Sequence, residues 1–145
     1  MIGGDVFVPG DDGYDGARRP WDLAVDQRPA AVVLAESVVD VTRAVRFARS
    51  QGMRIAPQST GHGSLPLELL EGVMLLKASR MRHVEIHPAT STARAEAGAQ
   101  WEDVTVPVGA YGLAALAGTS PNLGVTGYTL GGGIGWLARC HGLTR

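Results

Sequence analysis

Two stretches of this sequence hold residue types that could do chemistry. The first is Gln58-Ser59-Thr60-Gly61-His62-Gly63-Ser64. Hydroxyls and successive backbone N–H groups in such a loop can form a nest for an anion. An imidazole between two glycines has no bulky neighbours, so a ligand can touch the backbone and still reach the ring. The structural alternative is a loop histidine in a tight turn, and spacing alone leaves both open. The second stretch runs from Gly118 to Gly135 and holds seven of the chain's 20 glycines in 18 residues. Its glycines and the hydroxyls of Thr119, Ser120, Thr126, Tyr128 and Thr129 suit a large planar or phosphorylated ligand. Its alternative is a glycine loop packed against another lobe. Two such stretches in one short chain favour a cofactor.

Other arrangements carry less. A phosphate loop of the Walker kind needs lysine after glycine, but Lys77 follows Leu76. Gly131-Gly-Gly-Ile-Gly135 is not the dinucleotide fingerprint either. His83, Glu85 and His87 alternate and would share one face of a strand. Residues four apart on a strand lie roughly 13 Å from each other, so one metal ion cannot join both histidines. The solvated face of a hairpin is the better reading. Cys140 and His141 are adjacent, with no third partner to complete a nucleophilic site.

The elements around the two stretches can be read from periodicity and turn signals. Residues 1–27 lack clear periodicity and read as an N-terminal extended arm, in which Trp21, Leu23 and Val25 alternate as a short extended piece. Ala31 to Ala35 is an apolar run of strand length. Ser37 followed by Asp40 is a capping pair, opening a helix with Val38, Val41, Val45 and Ala48 at helical spacing, and Gly52 suits its end. Arg54 to Pro57 is a second strand. Strand, helix and strand make a βαβ unit with parallel strands. In open sheets of this kind ligands sit beyond the carboxyl ends of strands, where the His62 loop follows directly. Val73 to Leu76 is a third strand. His83–His87 and Thr92–Ala97 form an antiparallel hairpin. Gln100 to Val108 is a short helix limited by Pro107. Leu113 to Leu116 is one more apolar run.

Composition narrows the class. The chain has 145 residues, 13 basic and 14 acidic, for a net charge of −1, with no basic block. That excludes the electrostatic footprint of a nucleic-acid binder. Hydrophobic residues make up 45% and charged residues 19%, which excludes a disordered tail. One cysteine cannot form an internal disulfide framework. No run of 18 apolar residues and no secretory leader are read, so a cytoplasmic location without membrane contact is expected.

Taken in order, these residues resemble the PCMH-type FAD-binding domain of the vanillyl-alcohol-oxidase superfamily. The likeness is to its berberine-bridge-enzyme-like branch, which includes 6-hydroxy-D-nicotine-oxidase-like bacterial enzymes. Tyr14-Asp-Gly-Ala-Arg-Arg-Pro-Trp21 and Arg28-Pro29-Ala-Ala-Val-Val33 look like the entry segment, and Val39 to Arg49 like the first helix. The family's loop commonly reads Ser-Thr-Gly-Gly-His; here it runs Ser59-Thr60-Gly61-His62-Gly63. Thr129-Leu-Gly-Gly-Gly-Ile-Gly-Trp136 with Gly142-Leu-Thr144 is the most specific match. The fold this implies is α+β: a βαβ lobe, then the start of a mixed or antiparallel lobe, incomplete at the C-terminus. Residues 28–145 would be the partial FAD-binding domain.

The resemblance also implies roles. Gln58, Ser59, Thr60, Gly61, His62 and Gly63 would cradle the FAD pyrophosphate, with His62 bonded covalently to the flavin 8α-methyl. Gly118, Thr119, Ser120, Leu123, Gly124, Gly127 and Tyr128 would line the flavin and diphosphate. Ser120 stands where bicovalent relatives have cysteine, so the link would be monocovalent. Leu123 stands where smaller residues favour oxidases, which leans toward a dehydrogenase. Lys77-Ala78-Ser79 replaces a frequent Asp-Leu-Ser, and Gln58 a frequent arginine. The function implied is the FAD-binding part of an oxidoreductase that removes a hydride from a small organic substrate bound by a missing C-terminal domain. The competing readings are a flavin-binding remnant or split-protein module without turnover of its own, and a structural partner for a second chain.

Overall fold

The computed structural model describes residues 2–67 and 69–144. They form two compact units, one ending at Met81 and the other beginning at Arg82. Together they give the expected α+β composition.

The first unit is built on four strands: β1 (Asp5–Phe7), β2 (Ala31–Leu34), β3 (Arg54–Gln58) and β4 (Val73–Lys77). Their order in the sheet is β1-β2-β4-β3; β1 runs antiparallel to β2, and the other pairings are parallel. The anticipated unit of strand, helix α2 (Val38–Ser50) and strand is present, but β4 lies between its two strands. The reason is in the residues of β4, Val-Met-Leu-Leu-Lys, all of them buried. A strand apolar on both faces belongs in the middle of a covered sheet. Pro57, which has no N–H to give a ladder, falls on the edge strand β3.

Alternate residues of the sheet feed two cores. Val33, Met74 and Leu76 pack with Ala44 and Ala48 of α2, whose small side chains let the helix lie close. Val32 and Leu75 pack on the other side with Tyr14. Helix α2 starts at Ser37, whose hydroxyl accepts from the Asp40 N–H at 3.2 Å. Its end is a Schellman turn, with Met53 N–H donating to Ala48 O at 2.8 Å and Gly52 N–H to Arg49 O at 3.2 Å. Asp40 does more than cap. Its carboxylate accepts from the N–H groups of Gly3 at 2.6 Å and Glu36 at 3.2 Å, and from the Ser37 hydroxyl at 3.0 Å. The Gly3 N–H first, then the Ser37 hydroxyl and Glu36 N–H, hold its carboxyl below the usual aspartate value despite burial.

The extended arm expected over residues 1–27 is not what forms. Residues 5–7 are a sheet strand, and Tyr14–Arg18 is a short helix, α1, that buries Tyr14 with its hydroxyl donating to Pro29 O at 2.5 Å. A three-residue strand and a five-residue helix are too short to print a periodicity. The alternation at Trp21, Leu23 and Val25 makes no strand, and Trp21 and Leu23 are exposed.

The second unit opens with the expected hairpin, β5 (Val84–His87) and β6 (Thr92–Ala95), joined through a 3₁₀ turn at Pro88–Thr90. Glu85 and His87 are exposed on one face, while Val84 and Ile86 meet Trp101, Val104 and Val108 of α3 (Trp101–Gly109). Among the described residues no group of three or more His, Cys, Asp or Glu could hold a metal ion. Asp103 starts α3 by accepting from the Gln100 N–H at 2.8 Å, and Arg82 bonds the same carboxylate, holding it below its usual value. Pro107 sits in the last turn. The apolar run at 113–116 forms no strand; instead the chain goes on to two short helices, α4 (Val125–Leu130) and α5 (Ala138–His141).

Candidate cofactor site

Strand β3 ends in Gln58, and the loop 58–64 leaves the sheet at its carboxyl edge. Gln58 is held by its backbone, whose carbonyl accepts from Ala78 N–H at 2.9 Å. Its side chain is buried with neither amide atom bonded. Among the described residues, the hydroxyls of Ser59 and Ser64 and Nε2 of His62 are likewise buried without a partner. Buried polar atoms in proteins are nearly always satisfied, and leaving one unpaired costs about 1–3 kcal/mol. Four residues of one seven-residue loop share that condition.

The two glycines beside His62 differ. Gly61 has φ +86°, and a side chain there would bring its Cβ to 2.7 Å from Pro20 Cβ and 2.9 Å from Gln58 Nε2. Gly63 has no atom within 4 Å of the place a Cβ would take. Both were expected to leave room for a ligand; only Gly63 does, because Pro20 fills the space over Gly61. The residue after it, Trp21, stacks on the His62 ring with centroids 3.9 Å apart and planes 18° from parallel. Its N–H donates to Thr60 O at 2.9 Å.

Lys77 is register partner to Gln58. Its ammonium donates to the carbonyls of Ala17 and Arg19 at 2.9 and 2.8 Å, closing the C-terminal end of α1. Burial pushes it below the ordinary lysine value. Trp21, Lys77 and the fully buried Gln27, whose amide atoms also lack partners among the described residues, are not assigned to the site by the sequence. The signal available for Lys77 was its uniqueness, as the one lysine beside 12 arginines at the end of an apolar strand.

In the second unit, Gly118 packs beneath the Tyr128 ring: a Cβ there would lie 2.9 Å from Tyr128 Cε2 and 3.2 Å from Leu123 Cδ2. The same ring lies over Gly133 and meets Trp101 edge-on at 5.5 Å and 89°. Gly118 and Gly133 are therefore used by the protein's own tyrosine, while at Gly135 a Cβ would run into the Ala117 carbonyl oxygen. Among the described residues, Tyr128 Oη and Trp101 Nε1 are buried without partners. The Ser120 hydroxyl donates to Asn122 Oδ1 at 2.6 Å. Gly124 is buried ahead of α4, while Thr119 and Gly127 are exposed.

FAD presents a diphosphate, sugar hydroxyls and a polar-edged ring, and needs many hydrogen-bonding groups around it. The unpaired Gln58, Ser59, His62 and Ser64, with the open side of Gly63, fit that requirement.

Residues 29–145 match the FAD binding domain family. The chain is 34% identical over 142 residues to (R)-6-hydroxynicotine oxidase of Paenarthrobacter nicotinovorans, covering 98% of this chain and 31% of that protein. It is 32% identical to glucooligosaccharide oxidase of Sarocladium strictum, over 92% of this chain and 27% of that one. Among solved structures, 6-hydroxy-D-nicotine oxidase of Arthrobacter nicotinovorans superposes with a TM-score of 0.91 at 33% identity, over 99% of this chain and 32% of the other. Wild-type BBE-like 1 of Physcomitrella patens gives 0.87 at 29% identity, over 98% and 31%. The chain thus spans about a third of the length of these relatives. With the matched residues running from the second strand of the sheet to the chain's last residue, this chain belongs to the FAD binding domain family, in its berberine-bridge-enzyme-like branch.

Proposed function

We propose that this chain is the FAD-holding part of an oxidoreductase that takes a hydride from a small organic substrate, with the flavin attached through His62 alone. The observation that carries the reading is the set of buried, partnerless groups in the loop 58–64. Gln58, Ser59 and Thr60, with the loop's N–H groups, are assigned to the pyrophosphate, and Gly61 to the shape of the turn. Gly63 keeps the approach to the imidazole open. Gly118, Thr119, Ser120, Leu123, Gly124, Gly127 and Tyr128 are assigned to the flavin and its diphosphate. FAD itself supplies the hydride acceptor, while the protein binds and orients it. Ser120 cannot provide a thiolate, so a second covalent link is not expected there.

Substrate contacts are assigned to a further domain. Among the described residues no helix is long and apolar enough to cross a membrane. A cytoplasmic location is part of the same proposal. The test is reconstitution with FAD, acid precipitation and a peptide mass map. Flavin is expected on the peptide carrying His62, and His62→Ala is expected to release it while still binding FAD in the native state. Flavin retained in His62→Ala, or found at Cys140, refutes the assignment; complete release from the wild type removes the covalent claim.

A further inference from the structure

We infer that Trp21 is a positioning residue for His62: its indole holds the imidazole plane fixed for flavin attachment. The inference rests on the reading of His62 as the attachment point. Histidines that act chemically are commonly oriented by a hydrogen bond from their second ring nitrogen to a carboxylate or carbonyl. His62 has no such bond among the described residues: Nε2 is buried and partnerless, and neither ring nitrogen is hydrogen-bonded. What fixes the ring is the stack with Trp21, at 3.9 Å between centroids and 18° between planes. A face-on contact of this kind stops the ring tilting while making no bond to either nitrogen.

Trp21 can do this because its own backbone is tied down on both sides. Its N–H donates to Thr60 O at 2.9 Å. Pro20 is seated against Gly61. Just upstream, Lys77 Nζ holds the carbonyls of Ala17 and Arg19, and Arg18 donates to Gln27 O at 2.6 Å. Trp21 is nevertheless 55% exposed, so more than half of the residue's surface stays open.

The attachment step shows why ring angle matters. A C–N bond forms as the imidazole nitrogen and the 8α-methyl carbon each lose one hydrogen. Those two hydrogens, with their two electrons, reduce the flavin's own ring, and dioxygen then takes them up as hydrogen peroxide. The nitrogen lone pair must point at the methyl carbon, and misplacement by about 1 Å can slow such a step as much as 100-fold.

The experiment compares wild type, Trp21→Ala, Trp21→Leu and Trp21→Phe in two ways. The first readout needs no flavin: the NMR resonances of the His62 ring protons in the apoprotein, which a stacked indole shifts upfield. The second is the rate at which acid-stable flavin appears after FAD is added. Trp21→Ala and Trp21→Leu are expected to move the His62 resonances downfield and slow attachment about 10-fold or more. Trp21→Phe, which can still stack, is expected to restore most of both. If attachment in the leucine variant matches the wild type, the positioning role is overturned. Should wild type attach no flavin at all, the His62 linkage fails, and the resonances alone decide the clamp: no movement on losing the indole overturns it, and a downfield shift supports it. Should the alanine variant fail to fold, the leucine and phenylalanine variants carry the same comparison.

Discussion

Replacing Gly61 by alanine separates the two glycines that flank His62. At φ +86° the backbone is in the left-handed region, which costs a residue with a side chain about 1–2 kcal/mol. The new Cβ would sit 2.7 Å from Pro20 Cβ, whereas carbon atoms pack best at about 3.5–4.0 Å. Forcing an extra methyl into such a space costs about 1–3 kcal/mol. Alanine recovers about 0.4–1 kcal/mol by restricting the unfolded chain. The net loss is about 1–4.6 kcal/mol, or about 2–18 °C in melting temperature for a chain of this size. Gly63→Ala faces no positive φ and meets no atom within 4 Å, so its stability is expected to stay level or rise by up to about 1 kcal/mol. Its FAD affinity is expected to fall, since the methyl narrows the open side of the loop. Urea unfolding with unchanged m-values measures the stabilities, and flavin titration the affinities. A Gly61→Ala protein within about 0.5 kcal/mol of wild type would refute the packing argument, as would equal losses at the two positions.

Three further expectations follow from buried polar groups. Asp40→Ala is expected to be less stable than wild type above the ordinary aspartate value of about 3.9; because the folded carboxyl lies lower, the gap is expected to close as pH falls through that lower value, and a gap independent of pH between 6 and 2 would contradict the bonding described. Lys77 carries the opposite charge logic. Its folded value is depressed, so the unfolded chain binds more protons in the window up to about pH 10.4, and wild-type stability is expected to rise with pH there relative to Lys77→Met; parallel curves would show that burial of the ammonium is not felt. Tyr128→Phe removes a buried hydroxyl with no partner in the apoprotein, so its melting temperature is expected to hold or rise, while FAD affinity falls about 2–10-fold, the worth of one hydrogen bond. A loss of more than about 1 kcal/mol in the apoprotein would mean that hydroxyl has a partner after all.

The sequence was most legible where one physical rule governs one residue. Ser37 and Gly52 bound α2 as capping chemistry requires. The hairpin showed through its alternation, and the loop after β3 through its position beyond a strand. What escaped was set by contacts distant in sequence. Nothing local says that β4 enters between β2 and β3; only its double-sided burial does, and that is visible once the sheet is closed. The segment 14–21 has no periodicity because its order comes from Lys77, Pro29 and Thr60, 15 to 60 residues away for the first two. Gly61 was legible as a special position, but not the fact that Pro20 uses the space. At Tyr128 the glycines were read as room for a ligand, and the tyrosine ring takes part of it.

The place of β4 also sets a schedule for a chain made from its N-terminus. β2 and β3 have no hydrogen-bonding partner in each other, and both wait for the strand that ends at Lys77. From Leu34 to Lys77 is 43 residues (77 minus 34), which a ribosome adds in roughly 2–9 s at about 5–20 residues per second. Through that interval β2 carries an apolar edge paired only with the three residues of β1. The nascent protein therefore passes through a stage in which Val32 and Val33 are open to any other strand nearby. Slow synthesis across residues 35–72 would lengthen that exposure, and chaperone capture of ribosome-bound chains would be expected to peak before residue 77 emerges and to drop sharply after it.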